Sequence, residues 1–237
     1  MKNRISEAVR ALGSTRTLVL VAALLAGVVL AAQRPGVHPV SGRVFAPTMG
    51  FQGAPWLERP EREEEENPDR ALRFLQIPKG AVVADIGAGS GYFTLRLAKI
   101  VGPTGRVYAG DIQQEMLDLL GRNAAKANVR NIIPVLGTDS DPRLPPDSLD
   151  LIIMVDVYHE CSQPQAMLRR MRDALRPTGR LVLLEYRAED PFVPIRPEHK
   201  MTRAQVRLEV EHEGYVLATE STSLPRQHLL VFRKSAT

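Results

Sequence analysis

Residues 81–93 read AVVADIGAGSGYF, an apolar run that passes through a glycine turn into a helical pattern. Ala81–Ile86 has the β-branched, almost uncharged character of a buried strand. Gly87-Ala88-Gly89-Ser90-Gly91 forms the turn, and Tyr92–Val101 reads as a helix. Outward from this unit the same alternation repeats. Strands are expected at Arg106–Ile112, Asn131–Gly137, Leu149–Val157 and Arg180–Tyr186, and helices at about Glu115–Lys126 and Pro164–Leu175. A last helix, Thr202 to about Glu213, precedes two runs, Tyr215–Glu220 and His228–Lys234, with no helix between them. Strands alternating with helices imply a mainly parallel sheet covered on both faces, and the last two runs imply an antiparallel pair.

The 237 residues suffice for one large domain, and 44% hydrophobic with 24% charged residues excludes wholesale disorder. Cys161 is the only cysteine, so no intrachain disulfide forms. The net charge of +4 lies entirely in residues 1–34, and the remainder is neutral. No basic face is implied for the folded part, so no nucleic-acid partner is expected.

Leu18–Ala32 carries no charge, follows a basic stretch and ends in small residues, the pattern of an export signal or an uncleaved membrane anchor. The positive flank predicts an exported or anchored protein of the cell envelope, with a cytoplasmic location as the alternative. The expected organisation is therefore a signal or anchor at 1–32, a Pro/Gly-rich arm with an acidic segment at 33–66, and the catalytic domain at 67–237. The arm holds Phe45, Met49, Phe51, Trp56 and Leu57, so part of it is expected to pack on the domain. Glu61–Glu66 reads as a solvated helical face, and Asn67-Pro68-Asp69 as the start of a helix burying Leu72 and Leu75.

A ligand of such a sheet lies at the carboxyl ends of its strands. The glycine turn sits there, and Asp111, twenty residues past Gly91, is placed to accept hydrogen bonds from ribose hydroxyls. Two cofactor classes use this layout. A nicotinamide site wants G-x-G-x-x-G, whereas this chain has G-x-G-x-G with Asp85 two residues before the first glycine. A carboxylate there repels pyrophosphate but suits an amino group and a sulfonium, which favours S-adenosylmethionine.

Four segments then carry a resemblance: DIGAGSGYF at 85–93, GDI at 110–112, DLIIMVD at 150–156 and LRPTGRLVLLE at 175–185. Their order resembles the successive motifs of class I S-adenosylmethionine-dependent methyltransferases over about residues 70–234. The resemblance implies a Rossmann-like, doubly wound α/β fold whose mainly parallel seven-stranded sheet has a reversed last strand. It implies that Asp85, Gly87, Ala88, Gly89 and Gly91 border the methionine part of the cofactor and that Asp111, with Ile112, holds the ribose. Thr138 and Asp139 would lie by the adenine, and Asp156 at the junction with the acceptor. Thr178-Gly179 departs from the commoner pair of glycines, a change confined to a turn.

Methyl transfer requires a positioned nucleophile, and a proton-bearing one also requires a base. His159, on the loop after the fourth strand, is the candidate, with Glu160 and Tyr158 shaping the acceptor pocket. A structural histidine bonded to the loop backbone is the competing reading of His159. His199 and Lys200 read as surface residues, with approach to the site from the loop after the fifth strand as the alternative; Cys161 reads as a small filler, and no metal site is expected. The expected function is a methyltransferase acting on a small-molecule acceptor. A cofactor-binding regulatory module tethered to a membrane is one alternative, and an NAD(P)-dependent oxidoreductase the other.

Overall fold

The computed structural model describes residues 36–235. The strands are β1 (Val82–Ile86), β2 (Arg106–Asp111), β3 (Ile132–Leu136), β4 (Leu149–Val155), β5 (Leu175–Tyr186), β6 (Tyr215–Ser221) and β7 (Gln227–Lys234). The helices are α1 (Ala54–Leu57), α2 (Arg62–Glu66), α3 (Pro68–Leu75), α4 (Tyr92–Val101), α5 (Gln114–Lys126), α6 (Pro164–Ala174) and α7 (Arg203–His212). The seven strands form one sheet in the order β3-β2-β1-β4-β5-β7-β6. β1 to β5 are mutually parallel, and β7 runs antiparallel to both β5 and β6. This is the doubly wound α/β sheet with one reversed strand that the sequence pattern implied.

Alternation along the central strands divides the core in two, because successive side chains of a strand point to opposite faces. Ile152, Met154, Leu181 and Leu183 pack with Leu168 and Met171 of α6 and Val206 and Val210 of α7. Leu151, Ile153, Val182 and Leu184 face the other way, onto Leu72 and Leu75 of α3 and Leu97 and Val101 of α4. From Leu151 to Val155 β4 is buried on both faces, which is why the sequence there is an unbroken apolar run after the partly exposed Asp150. β5 begins five residues earlier than the sequence suggests. Leu175 pairs with Leu149, and the register then shifts at Arg176–Gly179 before Arg180 pairs with Leu151. A Cβ on Gly179 would meet the Leu149 carbonyl at 2.7 Å, so only glycine allows that close approach.

The helix expected after Asn67 forms as α3, and the Asn67 side chain accepts a hydrogen bond from the Arg70 amide. α7 opens with a reciprocal capping box of Thr202 and Gln205. The arm from Val37 to Glu66 packs on the domain and is tied to it by ions. Arg43 forks onto Glu209 at 3.0 and 2.9 Å and donates to the His159 carbonyl at 2.9 Å. The acidic run 61–66 is the solvated face expected at Glu61, Glu63 and Glu64 but not at its end. Glu66 is buried, receiving Arg62, Arg59 and the Tyr186 hydroxyl, because tertiary partners neutralise what composition alone reads as surface.

The expectation of an exported or membrane-anchored protein is corrected. Among the described residues no helix is long and apolar enough to cross a membrane. Leu18–Ala32, on which that expectation and the 1–32 segment rested, lies outside the described residues.

Candidate active site

Sheet order reverses between β1 and β4, and a cavity of about 720 Å³ opens at the carboxyl ends of these strands. Its floor is the glycine turn. Gly87 and Gly89 have φ of +74° and +54°, and their amides and that of Ala88 follow β1 directly. The Gly87 and Ala88 amides bond to the Gly110 carbonyl, which holds the turn against β2. A Cβ on Gly87 would reach Val157 at 2.4 Å, so the turn requires glycine for space as well as for φ. Gly91 does not line the cavity. It starts α4 with φ +93° and packs on Leu120, so of the expected cofactor residues it alone serves the turn and not the wall.

Among the charged groups of the walls, carboxylates outnumber arginines. Asp85 is buried, accepts from the Thr94 hydroxyl at 2.6 Å, and is pushed up to about 6 by burial, against that hydrogen bond. Asp111 accepts from the Gly89 and Gln113 amides at 2.9 Å each, so it clamps the turn as well as facing the cavity. Burial raises it above the usual carboxylate range, partly offset by those amides. Asp156 sits at φ +53° directly after β4 and accepts from Gln227 at 2.6 Å. Burial, then the nearby Glu66 and Glu185, hold it well above the usual carboxylate range. Ile112 and Asp139 are exposed at the rim, with Thr138 bonded into the turn ending at Asp141.

The fit to S-adenosylmethionine can be judged on this chemistry. Asp156 Oδ1 is buried with no hydrogen-bond partner in the protein. Of the cavity's arginines among the described residues, Arg59 and Arg62 are already paired with Glu65 and Glu66, and Arg196 alone faces the six carboxylates Glu66, Asp85, Asp111, Asp139, Asp156 and Glu160. Carboxylates in excess suit a ligand bearing an ammonium and a sulfonium, and oppose a pyrophosphate. The residues fit the former.

The far wall is built from two short turns, Tyr158–Glu160 after β4 and Pro197–His199 after β5. His159 is buried, and its Nδ1 lies 2.5 Å from Glu185 Oε2, a fully buried carboxylate that also accepts from the Tyr158 amide. Its Nε2 lies 3.1 Å from His199 Nδ1. Glu160 is pushed up to about 7, chiefly by burial, and accepts from the Met49 amide. His199 therefore belongs to the site and not to the surface. It sits forty residues from His159, and only the adjacency of β4 and β5 joins them. Lys200, in contrast, bonds to the Asp190 and Val193 carbonyls away from the cavity. Cys161, raised to about 12 by burial, is a protonated filler.

Several residues that build the site carry no sequence signal of their own. Glu185 ends the apolar run of β5, where a lone acid could have marked it. Met49, Leu57 and Arg62 come from the arm and roof the cavity, Leu57 resting on Gly89. Arg62 lies 4.2 Å over the Tyr92 ring, and the Gln113 side chain donates to the Met49 carbonyl at 3.0 Å.

Residues 83–179 match a family model described as a methyltransferase domain. A protein-L-isoaspartate O-methyltransferase from Methanothrix thermoacetophila is 28% identical over 110 residues, 46% of this chain and 50% of that one. A ubiquinone/menaquinone biosynthesis C-methyltransferase UbiE from Hahella chejuensis is 34% identical over 112 residues, 46% and 45% of the two chains. The alignments span about half the length of these curated relatives. The crystal structure of a SAM dependent methyltransferase from Aquifex aeolicus superposes with a TM-score of 0.74, covering 78% of this chain and 98% of that one at 24% identity. Residues 83–179 are thus similar to a methyltransferase domain, and the fold is that of the SAM dependent methyltransferase from Aquifex aeolicus.

Proposed function

We propose that this protein transfers the methyl group of S-adenosylmethionine to a small-molecule acceptor held between the glycine turn and the His159–His199 wall. One observation carries the reading: the acidic, glycine-floored region and the histidine wall belong to a single cavity roofed by the arm. S-adenosylmethionine supplies an electrophilic methyl on a sulfonium that departs as a neutral thioether. The chain's own groups do the rest. Asp85 and Asp156 offer carboxylates to positive charge, Asp111 offers acceptors to hydroxyls, and Ala88, Ile112, Thr138 and Asp139 complete the cofactor wall. Met49 and Leu57 exclude water, which strengthens each of these contacts. His159, oriented by Glu185 with Nε2 toward the cavity, is the group that takes the acceptor's proton, and Glu160 shapes the acceptor's seat.

Calorimetric titration with S-adenosylmethionine and with NADH tests the cofactor reading, and binding of NADH alone would overturn it. Asp111→Ala is expected to weaken S-adenosylmethionine binding by ~1–3 kcal/mol, through lost hydroxyl contacts and a loosened turn. Unchanged affinity would remove Asp111 from the site. His159→Ala should lower turnover on an identified acceptor far more than cofactor affinity, since a base acts in the chemical step. Equal turnover in the two proteins would end that assignment.

A further inference from the structure

His159 Nε2, His199 Nδ1 and Glu160 Oε1 stand 3.1, 3.9 and 3.7 Å from one another. Three atoms so spaced share a point about 2.1 Å from each, the bond length of zinc to imidazole nitrogen and carboxylate oxygen. All three residues line the cavity. We propose that they form a divalent-metal site of the zinc type, open on its cavity side to a thiol or hydroxyl of the acceptor. The proposal rests on the methyltransferase reading and refines its acceptor to one that ionises on a metal.

Three features beyond proximity support it. First, the supports of the ligands are those of a metal centre. Metal-bound histidine characteristically gives its other ring nitrogen to a carboxylate, and His159 Nδ1 meets Glu185 at 2.5 Å in the fully buried core. Second, Glu160 divides its oxygens. Oε2 accepts from the Met49 amide, which leaves Oε1 facing both histidines. Third, two histidines and one glutamate make up the protein ligands of one known type of catalytic zinc site, whose fourth position is left to water or substrate.

Coordination changes the role of His159. Its Nε2 lone pair goes to the ion, and the acceptor's proton is lost because the metal lowers its pKa. The balance is simple. The acceptor's S–H or O–H bond breaks, a bond from that atom to the metal forms, and the proton leaves to solvent.

The test uses the full chain stripped with a chelator and then titrated with zinc sulfate by calorimetry, with cobalt(II) absorption as a second readout. One zinc per chain is expected, with visible cobalt bands that zinc displaces. His199→Ala, at a half-buried position, should weaken zinc at least tenfold, and Glu185→Gln by about 10–100-fold. S-adenosylmethionine titrated into the same samples reports whether each variant is folded and whether the underlying reading holds. Zinc binding absent in the wild type, or unchanged in a His199→Ala protein that still binds S-adenosylmethionine, overturns the metal site and leaves His159 as the base. Loss of S-adenosylmethionine binding in the wild type would instead strike the methyltransferase reading.

Discussion

Asp85 shows at the residue scale how function opposes stability. Its carboxyl is buried and pushed up to about 6 from an ordinary 3.8. The folded chain therefore binds a proton more tightly than the unfolded chain, so the contribution of this group is fully present below pH 3.8 and lost as pH rises to about 6. Asp85→Asn keeps an acceptor for the Thr94 hydroxyl and removes the ionisation. In ligand-free protein it should be more stable than wild type by about 1–3 kcal/mol at pH 8, with the difference shrinking toward pH 4. The same variant should bind S-adenosylmethionine more weakly, having lost a negative charge. Denaturant unfolding at the two pH values and calorimetry check both halves. A wild type more stable at pH 8 than the variant would show that Asp85 is stabilised as an anion.

The turn between β1 and α4 is where one element's backbone limits the chemistry. Gly87 combines φ +74° with only 2.4 Å between an added Cβ and Val157. Gly87→Ala should destabilise the domain by roughly 2 kcal/mol or more, from left-handed strain plus a clash with the β-branched Val157 side chain, and should abolish cofactor binding. Thermal unfolding with and without S-adenosylmethionine would measure it, and a variant that retains the ligand-induced shift would show that the turn adapts. Asn67 offers a milder probe. It caps α3 from a left-handed conformation, φ +51°, so Asn67→Ala should cost about 1–2 kcal/mol without touching the cavity. Equal stability of the two proteins in urea would discount the cap.

On the scale of the whole molecule, the arm and the sheet act as roof and floor of one cavity. The arm is held by Arg43 on Glu209 and by Met49 between Glu160 and Gln113. Ligand should therefore protect residues 45–66 from amide exchange as strongly as it protects the glycine turn. At 100 times its dissociation constant it should add about 2.7 kcal/mol to global stability. Protection confined to the turn would show that the arm does not close over the ligand.

Residues 81–93 and the later alternation were enough to establish the sheet class, the place of the cavity and the acidic residues at strand ends. These features follow from local period and turn chemistry, which are written in consecutive residues. The burial of Glu66, the roof supplied by Met49, Leu57 and Arg62, and the meeting of His159 with His199 and Glu185 were decided by tertiary structure. Each joins segments far apart in the chain, and nothing in the local pattern of either segment encodes its partner. The sequence also placed His159 and Glu160 on the acceptor side but read His199 chiefly as a surface residue. Only the pairing of β4 with β5 puts two imidazoles and a carboxylate around one point, because their convergence depends on strand order and not on spacing.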